Sequence, residues 1–138
     1  ADKNNLKKII EEYDHVVDGS DNFETKFLIN DFCKKFKKYL VTGAISKFDG
    51  HIFTFDFTNK KTPCLRSFFQ EKKVSDGILD CEHEGVLGTV AGIVGTIQAN
   101  EVIKKILNIG KNLNGHIFIL DLLNLSFRKV KFNKLKNV

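Results

Sequence analysis

The chain has 138 residues, of which 42% are hydrophobic and 28% charged, a composition that suits one folded domain and excludes wholesale disorder. Its three cysteines are too few for a disulfide framework or a four-thiolate zinc site, so a reducing cytoplasm is the expected compartment. The longest apolar stretch, residues 86–97, is broken by glycine and falls short of the roughly 20 residues that span a bilayer, so no membrane partner is expected. No secretory signal opens the chain, and the absence of methionine predicts a chain that begins inside a longer protein.

The formal net charge of +5 does not by itself indicate a nucleic-acid-binding protein. Of the 22 basic residues only Arg66 and Arg128 are arginine, the residue that base readers favour, and the lysines are spread over several segments. Nucleic acid is therefore not expected as the partner, and association through a lysine-rich surface is the weaker alternative.

Residues 1–46 have the periodicity of a helix, a strand, a second helix and a second strand. Apolar residues at helical spacing predict helices over 4–13 and 22–38, and short apolar runs predict strands at 15–17 and 39–46. A strand, a helix and a strand in this order favour a right-handed βαβ unit with a parallel strand pair.

The rest of the sequence predicts two hairpins and one long helix. The Asp49-Gly50 pair is a hairpin turn signal, and a second hairpin is predicted over 116–132. Between them lie a polar, irregular segment at 58–82 and a helix predicted over 86–108. Glycines recur along this helix at 85, 88, 92 and 95, and such a stripe predicts close approach to a sheet or to a partner. The whole pattern predicts one α/β unit with a mixed sheet.

The segment Asp18–Asn22 lies where the first predicted strand ends and a helix begins, which is where open α/β sheets bind ligands. Ser20, Asp21 or Asn22 can serve simply as the helix N-cap, a role that these residue types often fill. Alternatively, hard oxygen ligands at this position can hold Mg²⁺ and orient a triphosphate. Spacing alone favours the cap.

The three cysteines lie in different surroundings. Cys81 precedes the long predicted helix, where a thiol is a candidate nucleophile, but its acidic neighbours disfavour a thiolate and the residues alone favour an ordinary loop cysteine. Cys33 falls on the apolar face of the second predicted helix and is interpreted as core. Cys64 and Ser67 have the form of a Cys-x-x-Cys that lacks its second cysteine, which argues against a structural zinc.

Several segments, in order along the chain, carry a family resemblance. They are Tyr13-Asp14-His15-Val16-Val17-Asp18-Gly19-Ser20-Asp21-Asn22-Phe23, Leu40-Val41-Thr42-Gly43-Ala44, Phe48-Asp49-Gly50-His51, Gly85-Val86-Leu87-Gly88, Gly95-Thr96-Ile97-Gln98-Ala99-Asn100-Glu101 and Phe127-Arg128. These segments closely resemble the MoeB/ThiF/HesA family of ATP-dependent enzymes that activate ubiquitin-like and sulfur-carrier proteins. The resemblance covers nearly all 138 residues but only the second half of the family's domain. It implies a Rossmann-like, three-layer α/β unit.

The resemblance also implies an activity and its site. Family members adenylylate the C-terminal Gly-Gly carboxylate of a small β-grasp protein and release pyrophosphate, for sulfur chemistry in molybdopterin, thiamine or tRNA thiolation pathways. By this likeness Asp21 serves the Mg²⁺–ATP, with Ser20 and Asn22 beside it. Lys26 stands where the family has an arginine, so it keeps the charge at the ATP site without the bidentate geometry. Cys81 matches a cysteine that forms a thioester or acyl-disulfide with the carrier in some members and is dispensable in others.

Two departures from the family pattern affect these expectations. The zinc half-site survives only as Cys64 and Ser67, so zinc is not expected. The glycine-rich nucleotide loop, the ribose-binding acid and the catalytic Arg and Lys of the first half are missing. We therefore expect an adenylyltransferase when full length, inactive as this chain alone; the alternative is a non-catalytic module that docks the carrier protein and dimerises. A homodimer is the expected assembly.

Overall fold

A five-stranded mixed sheet runs through the computed structural model, which describes residues 3–69 and 85–132. The elements in chain order are α1 (Lys3–Glu12), β1 (His15–Asp18), α2 (Phe23–Lys35), β2 (Tyr39–Ser46), β3 (Asp49–Asp56), α3 (Leu65–Phe68), α4 (Gly88–Leu107), β4 (His116–Asp121) and β5 (Ser126–Lys131). The strand order is sequential; β1 and β2 are parallel and every later pair is antiparallel. The predicted α/β fold with a mixed sheet and a parallel βαβ unit is confirmed. The second half of the predicted irregular segment, from residue 70 onward and including Cys81, lies outside the described residues.

Two apolar cores lie on opposite faces of the sheet, because successive strand residues point to opposite sides. Leu40 and Phe53 belong to the core that α1, α2 and α3 cover, whereas Val41 and Ile52 belong to the core beneath α4. Helices on both faces make three layers, as the resemblance implies. No helix within the described ranges combines the length and apolarity needed to cross a bilayer.

Helix α2 ends three residues earlier than predicted. Lys37 adopts a left-handed conformation with φ of 55°, and the amide of Lys38 donates to the carbonyl of Cys33 at 2.8 Å. This is a Schellman-type end made without the usual glycine, so the sequence carries no stop signal there. Cys33 is fully buried, and this burial raises the pKa of its thiol to about 12. The interpretation of Cys33 as core is confirmed.

Helix α4 packs on the sheet through a single row of side chains. Of the two contacts predicted for its glycine stripe, the one with the sheet is wrong, and the one with a partner stays a prediction. Among residues 3–69 and 85–132, and apart from chain neighbours and the helix's own backbone, no atom lies within 4 Å of a Cβ built at Gly85, Gly88, Gly92 or Gly95. The close approach instead uses glycines of the sheet: a Cβ on Gly50 would lie 2.5 Å from Val94 Cγ2, and one on Gly43 would lie 2.9 Å from Gln98 Cδ. The periodicity of α4 gives its helical state but not which side of it faces the sheet.

The buried row of α4 leaves much of an apolar helix uncovered. Its buried residues are Val90, Val94, Gln98 and Glu101. Aliphatic side chains along the rest of the helix and just beyond it are exposed, namely Leu87, Ile93, Ile103, Ile106, Leu107 and Ile109. A helix that is apolar around most of its circumference is typical of a buried position, so this surface of α4 is a candidate contact surface.

Candidate functional site

A cavity of about 440 Å³ opens where the parallel strands β1 and β2 end at their carboxyl ends. Its lining residues come from the turn after β1, the first turns of α2, the end of β2 and the N-terminal half of α4: Gly19, Ser20, Asp21, Asn22, Phe23, Lys26, Gly43, Ala44, Ile45, Val86, Ala91, Val94, Gly95 and Gln98. The structure therefore brings together four of the predicted site residues, Ser20, Asp21, Asn22 and Lys26. The site lies where the strand–helix junction predicts a ligand.

Asp18, the last residue of β1, organises the turn that lines this cavity. Its carboxylate is buried and accepts hydrogen bonds from the Ser20 amide at 2.8 Å and the Ser20 hydroxyl at 2.6 Å. The same carboxylate accepts from the Thr42 hydroxyl on β2 and from the Lys26 ammonium at 3.1 Å. Four donors on one carboxylate satisfy its acceptor capacity, so Asp18 has a positioning part and is not a free ligand for a substrate or a metal.

Asn22 is the N-cap of α2, and Asp21 is left facing the cavity. The side-chain oxygen of Asn22 accepts from the Thr25 amide at 2.8 Å, which settles which of the three candidate residues caps the helix. The side-chain amide of Asn22 also donates to the Asp21 carboxylate at 3.1 Å. Asp21 is exposed, and in the part of the chain that the structure describes no cation is paired with it. An exposed carboxylate at a helix N-terminus is available to a ligand.

Lys26 lines the cavity, and its ammonium also bonds to groups within the chain. It is 5% exposed, and its ammonium donates to Asp18 at 3.1 Å and to the Gly43 carbonyl at 2.5 Å. The charge of Lys26 is thus balanced by Asp18, and within the described ranges Asp21 is the other charged residue of the lining. The cavity consequently has an uncompensated negative charge, and a polyphosphate would need a cation to enter it.

The donor set of the cavity fits a Mg²⁺ ion that is already coordinated by the phosphates of a nucleotide. Mg²⁺ is commonly held by one or two carboxylates together with substrate phosphates, and Asp21 offers one such carboxylate. A site made from protein ligands alone does not fit, because no cluster of three or more His, Cys, Asp or Glu occurs among residues 3–69 and 85–132. Asp21 is the residue that would hold the ion.

A zinc site at Cys64 does not fit the described residues. Cys64 is buried, and its Sγ lies 3.6 Å from Ser67 Oγ and 3.7 Å from Lys34 Nζ. An ammonium this close to the sulfur repels a cation, and Ser67 supplies no second thiolate. Cys64 and Ser67 instead surround the start of the short helix α3.

Sequence reasoning missed Gln98 as a residue of this site. Gln98 is 4% exposed on α4, and its side-chain amide donates to the Asp18 carbonyl at 2.9 Å and to the Val41 carbonyl at 3.4 Å. It therefore ties α4 to both parallel strands beside the cavity. The available signal is an amide that falls four residues after Val94 on the buried face of an otherwise apolar helix.

Comparison with known proteins gives the class of fold first. The structure is similar to the crystal structure of E. coli MccB with ATP, with a TM-score of 0.78 over 99% of this chain and 41% of that one, at 16% identity. A second MccB structure, with succinimide, gives a TM-score of 0.77. The sequence identities to these two MccB structures are 16% and 14%, so the structural similarity defines the fold alone, a ThiF-type α/β domain.

The family follows from the sequence. Residues 1–138 match the ThiF family, and the chain belongs to that family. It is 40% identical over 129 residues to the sulfur carrier protein adenylyltransferase of Thermus thermophilus, covering 91% of this chain and 48% of the relative. It is 40% identical over 131 residues to a probable molybdopterin-synthase adenylyltransferase of Pyropia yezoensis, covering 94% and 34%. It is 39% identical over 132 residues to the SAMP-activating enzyme E1 of Haloferax volcanii, covering 96% and 48%. The chain thus spans between a third and a half of these relatives.

Proposed function

We propose that this chain is the second half of an adenylyltransferase domain and supplies the Asp21 side of its ATP site. The substrate is the C-terminal Gly-Gly carboxylate of a ubiquitin-like sulfur-carrier protein. The observation that carries the proposal is the uncompensated Asp21 carboxylate, which lines a cavity between the ends of β1 and β2 and the start of α4. The names of the relatives from Thermus and Haloferax support the reaction class and the kind of partner.

The proposed reaction is an in-line displacement at the α-phosphorus of ATP. A carboxylate oxygen of the carrier forms the new bond to phosphorus, the bond to the leaving pyrophosphate breaks, and an acyl-adenylate results. Such a reaction depends on positioning and on neutralising phosphate charge, and Mg²⁺ bound with the nucleotide supplies part of that neutralisation. Asp21 holds the ion–nucleotide complex at the cavity, while Asn22 donates to Asp21 and fixes the start of α2.

The chain contributes only part of this site. Ser20 and Asn22 line the cavity, but its charged groups do not by themselves neutralise a triphosphate. We propose that the remaining contacts to the nucleotide come from the other half of the domain. We propose that the Cys81 thiolate then attacks the carbonyl carbon of the carrier's acyl-adenylate, which forms a thioester and releases AMP.

Pyrophosphate exchange into ATP by the full-length protein with its carrier tests the function. Asp21→Asn should lower the exchange rate by about 10²-fold, the scale of losing one preorganised electrostatic contact. Asp31→Asn is the matched control, because Asp31 lies on α2, the helix that follows Asp21, but pairs with Arg66 at 2.8 Å, outside the cavity lining. Wild-type protein without carrier-dependent exchange would contradict the function, and normal exchange by Asp21→Asn would contradict the role of Asp21.

A separate experiment tests Cys81. If Cys81 receives the activated carrier, a thiol- or hydroxylamine-sensitive conjugate forms with the wild-type protein and is lost in Cys81→Ser. Cys33→Ser is the control, because Cys33 is buried and its raised pKa keeps the thiol protonated. A conjugate that persists in Cys81→Ser would assign the nucleophile to another residue.

The second candidate function is a non-catalytic module that binds the carrier and dimerises. An exposed apolar patch favours it: Phe48 in the β2–β3 turn is 40% exposed, and Leu123, Leu125 and Phe127 around the β4–β5 turn are 53–74% exposed. The two turns adjoin, since the Leu122 amide donates to the Phe48 carbonyl at 3.0 Å. Isolated exposed patches of this kind mark protein-binding surfaces.

Titration calorimetry with each ligand separates the two candidates. A docking module binds the carrier without binding Mg²⁺–ATP, whereas an adenylyltransferase binds both when full length. Light scattering after size-exclusion chromatography tests the proposed homodimer, for which the exposed surface of α4 is the candidate interface.

A further inference from the structure

The turn that carries Asp21 is held from both faces of the sheet, and the two sets of contacts meet at Asp18. On the α2 face, the Lys26 ammonium bonds to the Asp18 carboxylate and to the Gly43 carbonyl at the end of β2. On the α4 face, the Gln98 amide bonds to the Asp18 carbonyl. Beyond Asp18, the two bonds from Ser20 to its carboxylate fix the middle of the turn. Asp21 is the next residue along.

Stability alone does not account for this arrangement. A buried ion pair is often no more stabilising than apolar side chains of similar volume, because desolvating both charges offsets their attraction. The Asp18 and Lys26 side chains are 1% and 5% exposed, so both charges bear that desolvation. What the pair gives, together with Thr42 and Gln98, is one defined position for the residue at which the chain leaves β1.

The ammonium of Lys26 is also a poor candidate for direct phosphate binding. Two of its three donors are already used within the chain, on Asp18 and on the Gly43 carbonyl. A phosphate could therefore be reached only through the third N–H of a side chain that is 5% exposed, or by displacing Asp18 and leaving that carboxylate buried with one donor fewer.

From these contacts we infer that Lys26 and Gln98 are positioning residues, which act through Asp18 to hold Asp21 at the cavity for the metal–nucleotide complex. The inference rests on the proposed function. It changes the part of Lys26 from a residue that contacts ATP to one that orients the turn carrying Asp21. Gln98 performs the equivalent task from the opposite face of the sheet.

The first test needs no nucleotide. Amide hydrogen exchange of Ser20, measured by NMR on the full-length protein, should become at least roughly tenfold faster in Lys26→Met and in Gln98→Leu, because its acceptor Asp18 is no longer fixed. Lys105→Met is the matched control: it breaks the 2.6 Å ion pair with Asp56 at the other end of the sheet. Should Lys26→Met fail to fold, Gln98→Leu carries the test, since it leaves the Asp18–Lys26 pair intact. Unchanged Ser20 exchange in the folded variants would overturn the inference.

The second test is a double-mutant cycle read by the Mg²⁺ dependence of pyrophosphate exchange. Lys26→Met should raise the Mg²⁺ concentration for half-maximal exchange by about 10–100-fold, the usual cost of removing an outer partner of a metal ligand. Asp21→Asn should raise it as well, and adding Lys26→Met to Asp21→Asn should change it little, because both act through Asp21. A general loss of folded protein would lower the maximal rate and leave the Mg²⁺ midpoint unchanged, as expected for Lys105→Met.

Effects of Lys26→Met and Asp21→Asn that multiply in the double variant would overturn the inference, since they would show that Lys26 contacts the nucleotide independently. Failure of the inference is distinct from failure of the proposed function. Wild-type protein that exchanges no pyrophosphate contradicts the function, whereas an active wild-type protein with independent Lys26 and Asp21 effects contradicts the positioning role alone.

Discussion

The contact between Gly43 and helix α4 allows a quantitative test of how this site is assembled. A Cβ on Gly43 would lie 2.9 Å from Cδ and Oε1 of Gln98 and from Cγ1 of Val94. These atoms cannot stay in place, so Gly43→Ala must either lift α4 or turn the Gln98 side chain away. Overpacking of this kind costs typically about 1–3 kcal/mol, and a buried carbonyl left without its donor adds about 1–3 kcal/mol. We expect a loss of about 2–6 kcal/mol in the free energy of unfolding.

Urea denaturation followed by far-ultraviolet circular dichroism measures this change, with Gly92→Ala as the matched control. A Cβ on Gly92 meets no atom of another element within 4 Å in the part of the chain that the structure describes, and alanine is favoured over glycine inside a helix by roughly 1 kcal/mol. The same chemical substitution should therefore destabilise the protein at Gly43 and stabilise it at Gly92. Equal stability of Gly43→Ala and the wild type would refute this account of α4 packing. A destabilising Gly92→Ala would instead reveal a close contact along the glycine stripe.

Two further predictions follow from the hydrogen bonds at Asn22 and Asp56. Asn22→Ala removes the N-cap of α2 and should lower the free energy of unfolding by about 1 kcal/mol, whereas Asn22→Asp keeps a capping oxygen and should lower it much less. Thermal unfolding of both variants measures the two losses. Equal losses would contradict the capping role of Asn22. Burial pushes the pKa of Asp56 upward, but the hydrogen bonds from Lys105 and Thr58 outweigh it and hold the pKa below 3.8. The contribution of Asp56 to stability is therefore complete above about pH 3.8 and is lost as the pH falls through the lower folded value. Asp56→Asn should flatten that part of the stability profile, and an unchanged acid profile would contradict the assignment.

Sequence periodicity was sufficient for the architecture because the signals were local. The βαβ unit, the two antiparallel hairpins and the long helix follow from apolar spacing and turn residues, and the structure confirms them. The predicted position of the first turn is wrong, because Asp49 and Gly50 begin β3 and pair with Ser46 and Ile45, and the turn lies at 47–48. The junction after β1 likewise predicted where Ser20, Asp21 and Asn22 come together. Spacing could not decide between capping and ligand binding, because both tasks use the same residue types; the structure gives the cap to Asn22.

What the sequence could not supply depends on contacts between residues far apart in the chain. Gln98 meets Asp18 across 80 positions, and Lys26 meets the Gly43 carbonyl across 17. Neither pairing leaves a local pattern, so Lys26 was predicted to contact ATP by analogy with an arginine. The end of α2 was missed for a different reason, since Lys37 takes a left-handed conformation that is unusual for lysine.

The uncovered aliphatic surface of α4 has a consequence for how the protein persists in a cell. Ile103, Ile106 and Leu107 are each more than half exposed, so any species that covers them binds the folded state and stabilises it by mass action. Protein molecules in which this surface is not bound leave the apolar side chains of α4 exposed to water, and chaperones and proteases act on such molecules. The cellular abundance of this chain should therefore follow the supply of whatever covers α4, rather than its own rate of synthesis.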